Sequence, residues 1–285
     1  MDTECSFCNH RFPISSERCP HCAQPGLFPN VELAKLNDEM AALKLRYNEA
    51  FDRATARGCD NVFKDFETCV TNDSKAVICR TLNETVRLAN SDRDLYSTYY
   101  KEIDAESRLP HGTRWDKRRL LTDNMLFPNF HESIRFAALS LNRTGLKNYG
   151  ECSWTLRTEM IEHRTSVFEE NSVVFMINND IKIDDSDDFP KGHRASWSNR
   201  GKIAALKLVN RMQESMPKET YAGILVVNAS KGENDEFIEV HIWGPISIRT
   251  IENITVKKPI KRTQKLFVND LKNKLKRYGV GLKVI

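Results

Sequence analysis

The sequence predicts an α+β protein in three parts: a metal-binding knuckle, a helical stalk and a mixed domain rich in strands. Three observations carry that prediction. Two CxxC pairs, Cys5/Cys8 and Cys19/Cys22, fall within the first 22 residues. An apolar repeat in steps of three and four, the period of a helical seam, runs from Leu33 to Ala54. In the stretch Glu236–Pro245, Ile238, Val240 and Ile242 alternate with Glu239 and His241, the period of a β-strand. The expected boundaries are 1–27, 28–100 and 101–285.

The first part is the most specific. Cys5-Ser-Phe-Cys8 and Cys19-Pro-His-Cys22 read CxxC-x10-CxxC, a spacing that brings four thiolates into a tetrahedron around Zn²⁺. So short a segment cannot fold on an apolar core, so the metal supplies its folding energy. The knuckles resemble those of zinc ribbons. Four cysteines close the shell and leave no position for a substrate, so Cys5, Cys8, Cys19 and Cys22 are expected to hold a structural zinc. His10 and His21 are spare ligands. The module contacts nucleic acid or protein, or simply caps the chain.

In the second part Leu33, Leu36, Met40, Leu43, Tyr47, Ala50 and Ala54 form the seam. It belongs either to a coiled coil, which implies a homodimer or a protein partner, or to one arm of a hairpin turning at Gly58–Asn61. A second helical region is expected from about Val62 to Leu95, broken near 71–74.

The third part is expected to alternate short apolar runs with turns. Leu121–Phe130 reads as loop-rich and His131–Leu141 as helical; Glu151–Leu156, His163–Phe168 and Ser172–Ile177 read as strands. Ile203–Met212 reads as a helix, Gly223–Val227 as a buried strand and Ile246–Val256 as a strand pair. The acidic run at Asp184, Asp185, Asp187 and Asp188 lacks the spacing and glycine of a calcium loop and reads as a solvated segment. In Glu236–Pro245, Ile238, Val240 and Ile242 share one face, and Phe237, Glu239, His241 and Trp243 share the other. That second face is either the solvated side of an edge strand or a cleft where a carboxylate and an imidazole stand together between aromatic rings. From Lys257 to Arg277 nine basic residues face one acid, Asp270, and Leu266, Phe267, Leu271 and Leu275 give helical spacing from Thr263. Such a basic helix is a solvated face or attracts phosphate; with the zinc module it points to nucleic acid.

Bulk properties exclude some classes. The 285 residues are 40% hydrophobic and 29% charged, the net charge is +4, and no run of eighteen apolar residues occurs. The N-terminal stretch lacks a signal-peptide core, so the expected compartment is the cytoplasm, with no membrane association. The remaining cysteines, Cys59, Cys69, Cys79 and Cys152, are expected to be reduced.

Tyr149–Arg157, His163–Ser166, Asn171-Ser172 and Glu239–Pro245 are similar to motifs of a bacterial family associated with ADP-ribosyltransferase-like domains, and His111-Gly-Thr-Arg114 resembles the opening motif of the His-Tyr-Glu class of these enzymes. The resemblance covers about residues 105–256. It implies a split, mostly antiparallel β fold that clamps NAD as substrate. His111 would bond the ribose on the nicotinamide side, with Thr113 or Arg114 near the phosphates, and Tyr149 would stack on nicotinamide. Glu239 would bond the ribose 2′-hydroxyl and stabilise the oxocarbenium-like charge; His241 would orient Glu239 or deprotonate the acceptor. Alternatively, Arg164 and Ser166 supply the stations of the Arg-Ser-Glu class. The implied role is ADP-ribosylation of a macromolecule, nucleic acid included, as an intracellular toxin or antiviral defence effector. The rival readings are a non-enzymatic zinc-ribbon nucleic-acid-binding or assembly protein, and a metal-dependent nuclease built on Glu236, Glu239 and the acidic run.

Overall fold

The computed structural model describes residues 2–5, 8–13, 16, 18–23, 28–96, 114–181 and 189–285. Among them the chain is a mixed α+β protein built on one eight-stranded, largely antiparallel sheet. The acidic run of residues 184–188 lies outside the described residues.

At the N-terminus β1 (Asp2–Glu4) and β2 (Arg11–Pro13) pair antiparallel, and Phe12 packs with Cys5 and Cys19 in a small cluster of its own. Helix α1 (Pro29–Ala34) begins with proline at its first position, where no N–H is needed. It ends before Leu36, which stands outside α2 (Asn37–Ala56). The expected seam is therefore broken: Leu43, Ala50 and Ala54 are buried, whereas Met40 is exposed. The buried face is used within the chain. Tyr47 and Phe51 of α2 meet Phe63 of α3 (Asp60–Asp73) edge-on at 5.4 and 5.6 Å, across a turn in which Gly58 adopts φ 69°.

The second helical region breaks where expected, with α3 ending at Asp73, but the chain does not return to helix at once. Lys75–Arg80 is instead β3, a strand of the sheet interior, and Thr81 opens α4 (Leu82–Leu88) through a capping box with Glu84. Phe63 and Phe66 of the helical part share one apolar cluster with Ile78, Trp154, Val240 and Ile254 of the sheet.

Further expectations are corrected. The first part of the loop-rich passage, Leu121–Leu126, is the end of α5 (Arg114–Leu126), while 127–130 turn as expected, and the helical reading of His131–Leu141 gives way to β4 (Ile134–Ser140). After β5 (Cys152–Leu156), the one-turn α6 (Thr158–Ile161) and β6 (Thr165–Phe168), the run Ser172–Ile177 forms α7 (Ser172–Asn178) rather than a strand. Asn171 caps it by accepting from the N–H groups of Val173 and Val174, a local bond that a strand would not satisfy. β7 (Arg194–Ser196) leads to α8 (Arg200–Leu208), which overlaps the expected helix Ile203–Met212 but starts before it and gives way to a 3-10 turn at Val209–Arg211. Gly223–Val227 is divided between α9 (Tyr221–Leu225) and β8 (Val226–Val227), which pairs with β9 (Glu236–Phe237). β10 is Glu239–Trp243, and only one strand of the expected later pair forms, β11 (Ile251–Val256). The basic tail is α10 (Arg262–Leu275), followed by β12 (Gly281–Val284).

The strand order is β12-β11-β5-β3-β4-β10-β6-β7, antiparallel except for the β11–β12 pair. β10 is thus interior, flanked by β4 and β6, and all five of its residues are buried. The edge-strand reading fails because both faces are covered. Val240 and Ile242 meet the main core with α2, α3 and α8. The other face meets a second, aromatic cluster of Phe127, Phe130, Phe168, Phe175, Phe189 and Trp243, beneath α5 and α7.

Candidate active site and metal centre

Alternation along β10 sends Glu239, His241 and Trp243 into the aromatic layer. Glu239 is 2% exposed there. A carboxylate so buried is tolerated only when its oxygens are satisfied, and each is. Arg119 of α5 donates to Oε1 at 3.0 Å. The Ser172 backbone N–H and His241 Nε2 donate to Oε2 at 3.1 and 3.0 Å. An ionised carboxylate only accepts, so Nε2 carries the hydrogen.

Burial alone would raise the Glu239 pKa. The Arg119 guanidinium, the His241 contact and the Ser172 N–H outweigh it and hold the group down at about 2. Arg119 is held in turn. Its Nε lies 3.1 Å from the buried Asp123 carboxylate one turn on, and its guanidinium stacks 3.8 Å from the Phe136 ring centroid. The His241 ring is walled by Phe127, Phe136 and Phe168 at 4.8, 5.3 and 6.1 Å. The result is an anion fixed in an apolar wall, with one cation over it and that cation partly open to solvent. A positive charge arriving from solvent would meet this anion by taking the place of Arg119 at Oε1.

The other anticipated residues divide. His111 and Thr113 lie outside the described residues, and Arg114 opens α5 with its side chain outside the description. Tyr149 ends a single 3-10 turn and is 46% exposed. Its pKa is raised, chiefly by partial burial, with Arg119 lowering it and Glu239 raising it. Ser166 stands directly opposite His241 in the β6–β10 register, and its Oγ accepts from Asn30 Nδ2 at 3.2 Å. Arg164 is not brought to Glu239. Its guanidinium donates to the carbonyls of Trp243, Pro245 and Met160, at the far end of β10. Glu236, proposed for a nuclease, pairs with Arg211.

Arg119, Asp123 and the Ser172 N–H were not foreseen. Arg119 and Asp123 form an i,i+4 pair, a helical signal hidden by reading Leu121–Phe130 as loop.

The four N-terminal cysteines converge, with all four Sγ atoms within 4.8 Å of one another. Cys5 and Cys22 Sγ lie 3.5 Å apart and Cys8 and Cys19 Sγ 3.6 Å apart, with no disulfide between them. A tetrahedral ion with metal–sulfur bonds of about 2.3 Å places its ligands roughly 3.8 Å apart. The cluster therefore fits a metal ion such as zinc. No described helix is long and apolar enough to cross a membrane.

Comparison with protein-family models, curated proteins and solved structures finds no match to this chain.

Proposed function

We propose that the chain is an NAD-dependent ADP-ribosyltransferase acting on a macromolecule, with Glu239 as its catalytic carboxylate and a structural zinc on Cys5, Cys8, Cys19 and Cys22. The observation that carries the reading is the ionised Glu239, buried on an interior strand and held by Arg119, His241 and the Ser172 N–H. Loss of nicotinamide from NAD builds positive charge on the ribose. A preorganised anion beside that charge lowers the barrier, because its attraction grows from ground state to transition state. In this reading Arg119 swings from Oε1 as the ribose arrives, His241 keeps the carboxylate oriented, and the exposed Tyr149 ring offers a stacking surface for nicotinamide. His241 serves as an orienting group and not as the acceptor's base, because its Nε2 is engaged by Glu239 and three phenylalanine rings close around it.

The test is nicotinamide release from NAD by the purified full chain, with protein, DNA and RNA acceptors supplied in turn. Turnover is expected, and Glu239→Gln should lower it by roughly 10²–10³-fold, the scale of removing one preorganised electrostatic partner. No NAD binding and no release with any acceptor would sink the reading.

A further inference from the structure

The C-terminal segment carries a surface the proposed chemistry does not use. From Lys257 onward there are ten basic residues, Asp270 is the one acid, and that acid is paired with Lys274. The topology gathers part of this charge at one end. β12 runs parallel to β11, and Lys258 N–H bonds the Ile285 carbonyl at 2.6 Å, so the end of β12 lies beside the segment leading into α10. α10 then packs inward through Val268, Leu271 and Leu275. Its first two turns are thereby set beside that same end, presenting Lys261, Arg262, Lys265, Leu266 and Phe267 to solvent.

The apolar content of this end is unusual for a solvated face. Ile260 is 87% exposed, Leu266 63% and Phe267 45%, and Val284 is exposed as well. The nearby acids are engaged: Glu84 in the α4 capping box, and Glu151 by accepting the Leu82 N–H at 3.1 Å. Two partner chemistries would welcome the lysines. Single-stranded nucleic acid rewards aromatic rings that stack on bases, and this end offers one, Phe267. Aliphatic side chains gain when they enter an acyl layer, and Ile260, Leu266 and Val284 are aliphatic. Lysines around exposed aliphatic and aromatic residues complement an anionic bilayer in both charge and polarity.

We propose that this end of the molecule docks peripherally on an anionic lipid surface, with Ile260, Leu266 and Phe267 entering the headgroup boundary and Lys258, Lys261, Arg262 and Lys265 pairing with lipid phosphates and carboxylates.

The experiment is co-sedimentation of the full chain with vesicles of phosphatidylcholine alone and of phosphatidylcholine with phosphatidylserine. Binding is expected for the second composition only, weakening with salt. A Leu266→Asp/Phe267→Asp variant should lose binding at least tenfold while its far-ultraviolet dichroism and melting curve stay as in the parent, since both residues are exposed. Lys258→Glu/Lys261→Glu/Lys265→Glu should lose about fivefold per charge. Lys276→Glu/Arg277→Glu, about 20 Å away at the other end of α10, should stay within a few-fold of the parent. The proposal is overturned by failure to bind phosphatidylserine vesicles, by equal loss in the Lys276/Arg277 variant, or by full binding in the Leu266/Phe267 variant. Tight binding to single-stranded RNA or DNA with no vesicle binding overturns it in favour of a nucleic-acid surface.

Discussion

Replacing Glu239 with glutamine tests the charged state on which the site depends. The folded protein holds this carboxyl at about 2, against an ordinary 4.5. A depressed acid stabilises the fold above its unfolded pKa and loses that contribution as pH falls through its folded pKa. The window here is therefore from about pH 5 down to about pH 2. A gap of this size corresponds to on the order of 3 kcal/mol of stability at neutral pH. Glu239→Gln keeps the volume, removes the titration and leaves Arg119 with Asp123 as its remaining carboxylate. The variant should be less stable than the parent by about 2–3 kcal/mol at pH 7, less than the 3–5 kcal/mol typical of breaking a fully buried pair, because Arg119 is partly exposed.

The difference should shrink as pH falls, since a protonated glutamic acid and a glutamine present nearly the same group to Arg119. Urea titrations of both chains at pH 7, 5 and 3.5, read by tryptophan fluorescence, measure it; Trp154, Trp197 and Trp243 are all buried. A difference that does not change with pH, or a variant as stable as the parent at pH 7, would show that the folded protein does not hold the Glu239 carboxyl below its ordinary range. The electrostatic role assigned to it would then fail with it.

Three other outcomes follow from the same structure. Cys19→Ser should abolish binding of about one metal ion per chain, scored by a colorimetric zinc assay, and leave the core melting transition within a few degrees, because Cys5, Phe12 and Cys19 form a cluster separate from the main core. Arg164→Ala should cost about 2–3 kcal/mol in urea denaturation, since it strips a charged donor from the carbonyls of Trp243, Pro245 and Met160; a loss below about 0.5 kcal/mol would refute a stabilising role for these bonds. Gly201→Ala should cost about 1–3 kcal/mol by overpacking, because its Cβ would stand 2.1 Å from Thr71 Oγ1 and 2.4 Å from the Glu67 carbonyl, prising α8 from α3.

What could be read from the residues, and what could not, has a physical pattern. The four cysteines were legible because metal ligation fixes spacing over a few residues. β10 was legible as a strand because Val240 and Ile242 alternate with Glu239 and His241, yet its place inside the sheet was not, since alternation reports two faces and says nothing of what covers the polar one. The cover is supplied by α5 and α7, both misread. Val173-Val-Phe-Met-Ile177 has no polar residue with which to reveal a period, and a short apolar run serves strand and helix equally. Asn171, a good N-cap, was the deciding signal. β3 was absorbed into a helix although Thr81-Leu-Asn-Glu84 announces a helix start just after it, which requires the chain to be non-helical before. The cost of these misreadings falls on the site itself. Arg119 sits 120 residues from Glu239 in the chain, so no local pattern joins them. Only the placement of α5 against the face of β10 turns a surface-like arginine and an alternating glutamate into a half-buried ion pair. For this fold the catalytic hypothesis therefore rests on the pairing of Arg119 with Glu239 more than on Glu239 alone.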